Sequence, residues 1–223
     1  MPALNIRQLG RQEYEPCWHA MQAFTEQRSE TTCDEIWCVE HPPVFTLGRA
    51  GRREHIHNIG DVPVVHVDRG GQITYHGPGQ VVIYLLIDLR RRSWGIRHLV
   101  SLIETAIIEL LAAYQINATT KEGAPGVYVN GDKIAALGMR VRKGCTFHGL
   151  SLNVAMDLAP FSHIDPCGYP GLAVTQTSDL ASLNSLDGLN EPLQAERDLL
   201  AHLTRLLEYD TIETFQTLPN LSS

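Results

Sequence analysis

The chain has 223 residues, 43% of them hydrophobic and 19% charged, with a formal net charge of −7, as expected of one soluble globular domain that buries its own core. The acidic balance excludes a general nucleic-acid binder, which needs a basic face to neutralise phosphates. No apolar run reaches the length of about 18 residues that spans a bilayer, and "MPALNIRQLG" lacks the basic-then-apolar layout of a signal peptide, so a cytoplasmic protein is expected.

"LNIRQLG" reads as a short strand, and Gln12 to Arg28 as a helix with Tyr14, Trp18, Met21 and Phe24 on one side. "EIWCVEH" is a strand stopped by Pro42 and Pro43. "VPVVHV" is a strand that leads into the glycine-rich stretch "RGGQITYHGPGQ", and the nearly all-apolar "QVVIYLLIDL" suits a central strand covered on both faces. Residues 96 to 114 form the clearest helix, with Leu99, Ile103, Ala106, Ile107, Leu110 and Leu111 recurring at three and four residues. From 126 to 154 the Asn130-Gly131 and Lys143-Gly144 turns divide a three-stranded meander. Residues 155 to 190 are loop-rich, Pro192 to Glu208 is an amphipathic helix, and the tail after Tyr209 carries no motif. Helices and strands mix without regular alternation. The fold class is therefore α+β: a mixed, largely antiparallel sheet flanked by helices, in a single domain over residues 1–223.

The five cysteines are Cys17, Cys33, Cys38, Cys145 and Cys167. Their odd count, irregular spacing and lack of a C-x-x-C pair predict neither a disulfide framework nor a structural zinc site. Cys167 differs from the strand cysteines, for "DPCGYPG" places it in a loop between Pro166 and Gly168. A thiolate there could act as a nucleophile if a nearby cation lowered its pKa, and Lys133, His76, His148 or His163 could supply that charge. Lys133 follows the Asn-Gly turn into a strand. Strict alternation puts it on one face with Ala135, Leu137, Met139 and Val141, where a lysine either snorkels to water or has a task. The glycine stretch matches neither a P-loop nor a dinucleotide fingerprint. It could be a tight turn with a structural histidine. Alternatively, its backbone N–H groups could cradle an oxyanion or acyl head group while His76 orients a substrate or moves a proton.

Taken together, "RGGQITYHGPGQ", "GDKIAALGMRV", "HGLSLNV" and "DPCGYPG", in this order, resemble the lipoyl(octanoyl) transferases over roughly residues 4 to 210. The resemblance implies a biotin/lipoate protein ligase-like catalytic fold, a single catalytic domain over residues 1–223 with its core at about 30–210. It implies an octanoyl thioester on Cys167, with Lys133 lowering the thiol pKa and moving protons. It implies an acyl site lined by Arg69, Gly70, Gly71, Gln72, Ile73, Thr74, Tyr75 and His76, completed by Ala136, Leu137, Gly138, Gly149, Leu150 and Ser151. The donor implied is octanoyl-acyl carrier protein. The acceptors are lipoyl domains of 2-oxoacid dehydrogenase complexes and the glycine cleavage H protein. No metal or cofactor is implied. Rival readings are an ATP-dependent lipoate or octanoate ligase of the same fold, a cysteine hydrolase, and a non-catalytic binding module. Arg49, Arg52 and Arg53, and the run Arg90, Arg91 and Arg92, are candidates for docking an acidic carrier or plain surface charge, and a monomer is expected.

Overall fold

The computed structural model describes residues 3–181 and 189–220. Its main sheet is built from β1 (Ala3–Arg11), β2 (Asp34–Glu40), β6 (Gln80–Leu86), β7 (Gly126–Val129), β8 (Asp132–Arg142), β9 (Cys145–Asn153) and β10 (Thr211–Phe215). The spatial order is β10-β1-β2-β6-β9-β8-β7. β1 runs parallel to both of its neighbours, and every other pair in this sheet is antiparallel. A second sheet, β4-β3-β5, joins Val64–His66, Val44–Leu47 and Ile73–His76.

Each face of the main sheet follows from alternation. On β6, Val81, Ile83 and Leu85 point to an aliphatic core covered by α2 (Ile96–Ala113) and, after the short α3 (Thr177–Ala181), by α4 (Pro192–Leu207). Val82, Tyr84 and Leu86 point the other way, onto α1 (Tyr14–Gln27) through Met21, Phe24 and Cys17. Every residue of β6 is buried, as its unbroken apolar run requires. The six residues predicted for the inner stripe of α2 are the ones buried.

Three strands escaped the sequence reading. β3 is short, and β5 lies inside the glycine stretch. β10 is almost wholly exposed, so its sequence carries no apolar alternation. It is held instead by pairing with β1, by Arg7 stacked 4.9 Å over the Phe215 ring, and by an Arg7 hydrogen bond to the Thr217 carbonyl. The arginines at 90–92 each have a partner within the protein. Arg90 pairs with Asp88 at 2.7 Å, Arg91 donates to the Thr32 carbonyl, and Arg92 reaches the C-terminal carbonyls of α4 between the Trp94 and Tyr209 rings.

Candidate active site

The small sheet lies over β8 and β9, and residues of both line the cleft between them. All the residues expected at an acyl site line it except Gly70 and Tyr75. Gly70 lines the adjoining groove, and its N–H donates to the Met139 carbonyl. Tyr75 points off the opposite face of β5, against Phe45 and Phe161. The glycines therefore divide by task. Gly71 lines the cleft, whereas a Cβ on Gly77 would sit 2.6 Å from the Tyr75 hydroxyl, and Gly79 turns the chain at φ +84° against the Ala155 carbonyl.

Lys133 is 4% exposed. The expected phase of alternation does not hold around it. Ala135 pairs with Val127 but Lys133 with Tyr128, so Ile134 is an extra residue in β8. Ile134 and Ala135 both enter the helix-side core, and Lys133 shares a cleft with Thr74, Ala136, Ser151 and Pro166. Its ammonium lies 5.1 Å from the Tyr128 ring centre and donates to the Pro125 carbonyl at 3.3 Å. Its backbone bonds to Ala173 and Thr175 and fixes its place.

Pro166–Gly168 is a single 3-10 turn. The side chain of Cys167 lies outside the described residues. The turn is anchored by Asp165, whose carboxylate meets His55 and His57 at 3.0 Å each. The His55 hydrogen bond, then that of His57, pulls the Asp165 carboxyl below its ordinary pKa. Gly168 lies against β5, where an added Cβ would be 2.9 Å from the Gln72 side chain. Pro166 and Lys133 thus line one cleft, and Gly168 abuts a residue of the larger one.

His76 is fully engaged by the protein. Gln80 spends its amide N–H groups on Tyr75 and Asn153, so its oxygen accepts from His76 Nδ1 at 2.8 Å. His76 Nε2 faces the Thr46 hydroxyl at 3.4 Å, and Arg69 holds Thr46 in turn. Burial, reinforced by His41, drives the pKa of His76 down to about 3, and burial takes that of His41 to about 4. Both ring nitrogens of His76 thus face partners within the protein. In the unfolded chain both rings titrate near 6.5, so between that value and about 4 the unfolded state binds more protons. Stability is fully present above about pH 6.5 and falls on acidification, by about 1.4 kcal/mol per pH unit for each histidine. Urea unfolding between pH 7 and 4 measures this, and a flat profile contradicts neutral burial of the pair.

Asp68, Tyr14 and Tyr84 went unnoticed in the sequence as site residues. Asp68 accepts from His148 Nε2 and Trp18 Nε1, both at 2.9 Å, and from Gln22. Burial raises its pKa, but these hydrogen bonds outweigh burial and hold it well below the ordinary carboxylate range. The one available signal was an acid set directly before the glycine stretch. His148 adopts a left-handed φ of 61°. That kink sends Phe147 into the α1-side core while its ring stacks on His148, which lines the cleft.

Residues 13–191 match the model of the lipoyl protein ligase A/B catalytic domain. The chain is 61% identical over 207 residues to an octanoyltransferase of Thiobacillus denitrificans, covering 92% of each chain. It is 59% identical over 200 residues to an octanoyltransferase of Pseudomonas fluorescens, covering 90% of this chain and 92% of that one. The fold is shared with a bipartite lipoate protein ligase of Thermoplasma acidophilum at a TM-score of 0.73 and 14% identity, over 97% of this chain and 87% of that one. The expected α+β catalytic fold is the one observed, and no helix among the described residues is long and apolar enough to cross a membrane. With this cleft, this fold and identities near 60%, the chain belongs to the lipoyl protein ligase A/B catalytic family and, within it, to the octanoyltransferases.

Proposed function

We propose that the chain takes an octanoyl group from octanoyl-acyl carrier protein onto Cys167 and passes it to a lysine of lipoyl domains and of the glycine cleavage H protein. The observation that carries this reading is the juxtaposition of buried Lys133 with Pro166, the residue before Cys167, in a cleft that shares Thr74, Ala136 and Ser151 with the one lined by Arg69, Gly71 and His76. The Cys167 thiolate attacks the donor thioester carbonyl, the carrier thiolate leaves and takes a proton from the Lys133 ammonium, which becomes neutral, and the acyl group remains as a thioester. This exchange conserves bond type, so no ATP is consumed. The acceptor amine then attacks the acyl-cysteine, its proton passes to neutral Lys133, and the amide forms as the Cys167 sulfur departs. Backbone N–H groups at the glycine-bearing turns hold the oxyanion. Arg69 and His76 are held rigidly and shape the wall. The protein works as a cytoplasmic monomer, in a compartment where Cys167 stays reduced.

Intact-protein mass spectrometry after mixing with octanoyl-acyl carrier protein, without ATP, tests the reading. A gain of one octanoyl group is expected, absent from Cys167→Ser and discharged by a lipoyl domain. Modification of the lipoyl domain that requires ATP and free octanoate would instead make the protein a ligase.

A further inference from the structure

The inner end of the acyl cleft has a hydrogen-bond inventory that a plain hydrocarbon does not match. Along β9 the cleft runs from Ser151, beside the Lys133 end, through Gly149 to His148. Three strand residues cover roughly 10 Å, so His148 stands where the far end of a medium-length chain would lie. Asp68 is an ionised carboxylate and can only accept, so the proton of the His148–Asp68 hydrogen bond sits on His148 Nε2. Burial, opposed by that hydrogen bond, favours the neutral ring. Nδ1 therefore carries a bare lone pair. It is buried and has no hydrogen-bond partner among the described residues.

The neighbouring Tyr84 hydroxyl does not fill this need. His41 Nδ1 donates to the Gln12 carbonyl at 2.7 Å, so His41 Nε2 accepts from the Tyr84 hydroxyl at 2.7 Å. The His41 and Tyr84 donors are thus spent within the protein, and the His148 acceptor is left over. A buried acceptor without a donor is a standing cost that a ligand hydroxyl relieves, and sites of this kind discriminate strongly between analogues with and without the donor.

We propose that His148 Nδ1 is the acceptor of a distal subsite, and that the cleft takes acyl thioesters bearing a terminal hydroxyl as well as unsubstituted chains. This rests on the acyl-transfer reading above. Asp68 is a positioning residue in it, since it sets the tautomer from outside the cleft.

The test compares nonanoyl and ω-hydroxyoctanoyl thioesters, which have equal numbers of heavy atoms, as acyl donors to the native protein and to His148→Phe, with octanoyl as reference. The native protein is expected to use the hydroxylated donor at least as fast as nonanoyl. His148→Phe is expected to lower the hydroxylated-to-nonanoyl ratio by roughly tenfold or more. If octanoyl forms an adduct but the ratio is the same in both proteins, the subsite is refuted and the transfer reading stands. If octanoyl forms no adduct, the transfer reading itself falls. Because the variant could misfold, nitrogen-15 NMR of the native histidines gives a second measurement. An unprotonated His148 Nδ1 whose resonance moves with ω-hydroxyoctanoate and not with nonanoate supports the subsite. A protonated Nδ1, or equal response to both acids, overturns it.

Discussion

Lys133→Ala is expected to slow octanoyl transfer to a lipoyl domain by roughly 10²- to 10⁴-fold, the range for loss of a positioned proton-transfer group. The residue is buried at the cleft, against Tyr128 and beside Pro166, and its backbone is tied on both sides to the segment that follows the Cys167 turn. Lys133→Met separates chemistry from packing, because it keeps most of the aliphatic stem and loses the amine. Both variants should lose rate alike, while Lys133→Met keeps more of the thermal stability. Stopped assays of acyl-enzyme formation and discharge, run beside melting curves, read the two effects apart. Transfer by Lys133→Met at the native rate would remove the lysine from the mechanism.

Glu35→Ala has the largest expected effect on stability. Glu35 lies on β2 and accepts from Arg7 Nε and Nη2 on β1, both at 2.7 Å, and also from the Trp37 indole. The side chains of Arg7 and Glu35 are 9% and 3% exposed. Removing the acid strands a buried guanidinium, which costs about 3–5 kcal/mol and lowers Tm by roughly 6–20 °C in a chain of this size. Replacing both partners, Arg7→Met with Glu35→Leu, should recover most of that loss, because the penalty belongs to the unpaired charge. Since Arg7 also holds the Thr217 carbonyl, amide exchange in β10 should rise in Glu35→Ala before the rest of the sheet loosens. Neither residue lines the cleft, so activity per folded molecule is expected to hold. A stability loss under about 1 kcal/mol would place the pair among ion pairs of the exposed kind.

The chain's own pattern was enough for every element that rests on local periodicity. α2 is a wide apolar stripe at helical spacing, β6 an unbroken apolar run, and the β7–β8–β9 meander is divided by Asn-Gly and Lys-Gly turns. These signals survive folding because each element buries the residues that its own repeat aligns. The quoted motifs likewise carried the octanoyltransferase family, since a glycine-histidine stretch, a strand lysine and a Pro-Cys-Gly loop seldom occur in one order. What lay beyond the sequence depended on contacts between distant segments. β10 exists through its pairing with β1, some two hundred residues away. The single extra residue at Ile134 turns Lys133 out of the aliphatic row and into the cleft, and alternation counted along one strand cannot register a slip against its neighbour. The protonation pattern of the inner wall belongs to the same class. His41, His76 and His148 look alike as letters. Their tautomers follow from Gln12, Gln80 and Asp68, partners that only the folded chain brings within 3 Å.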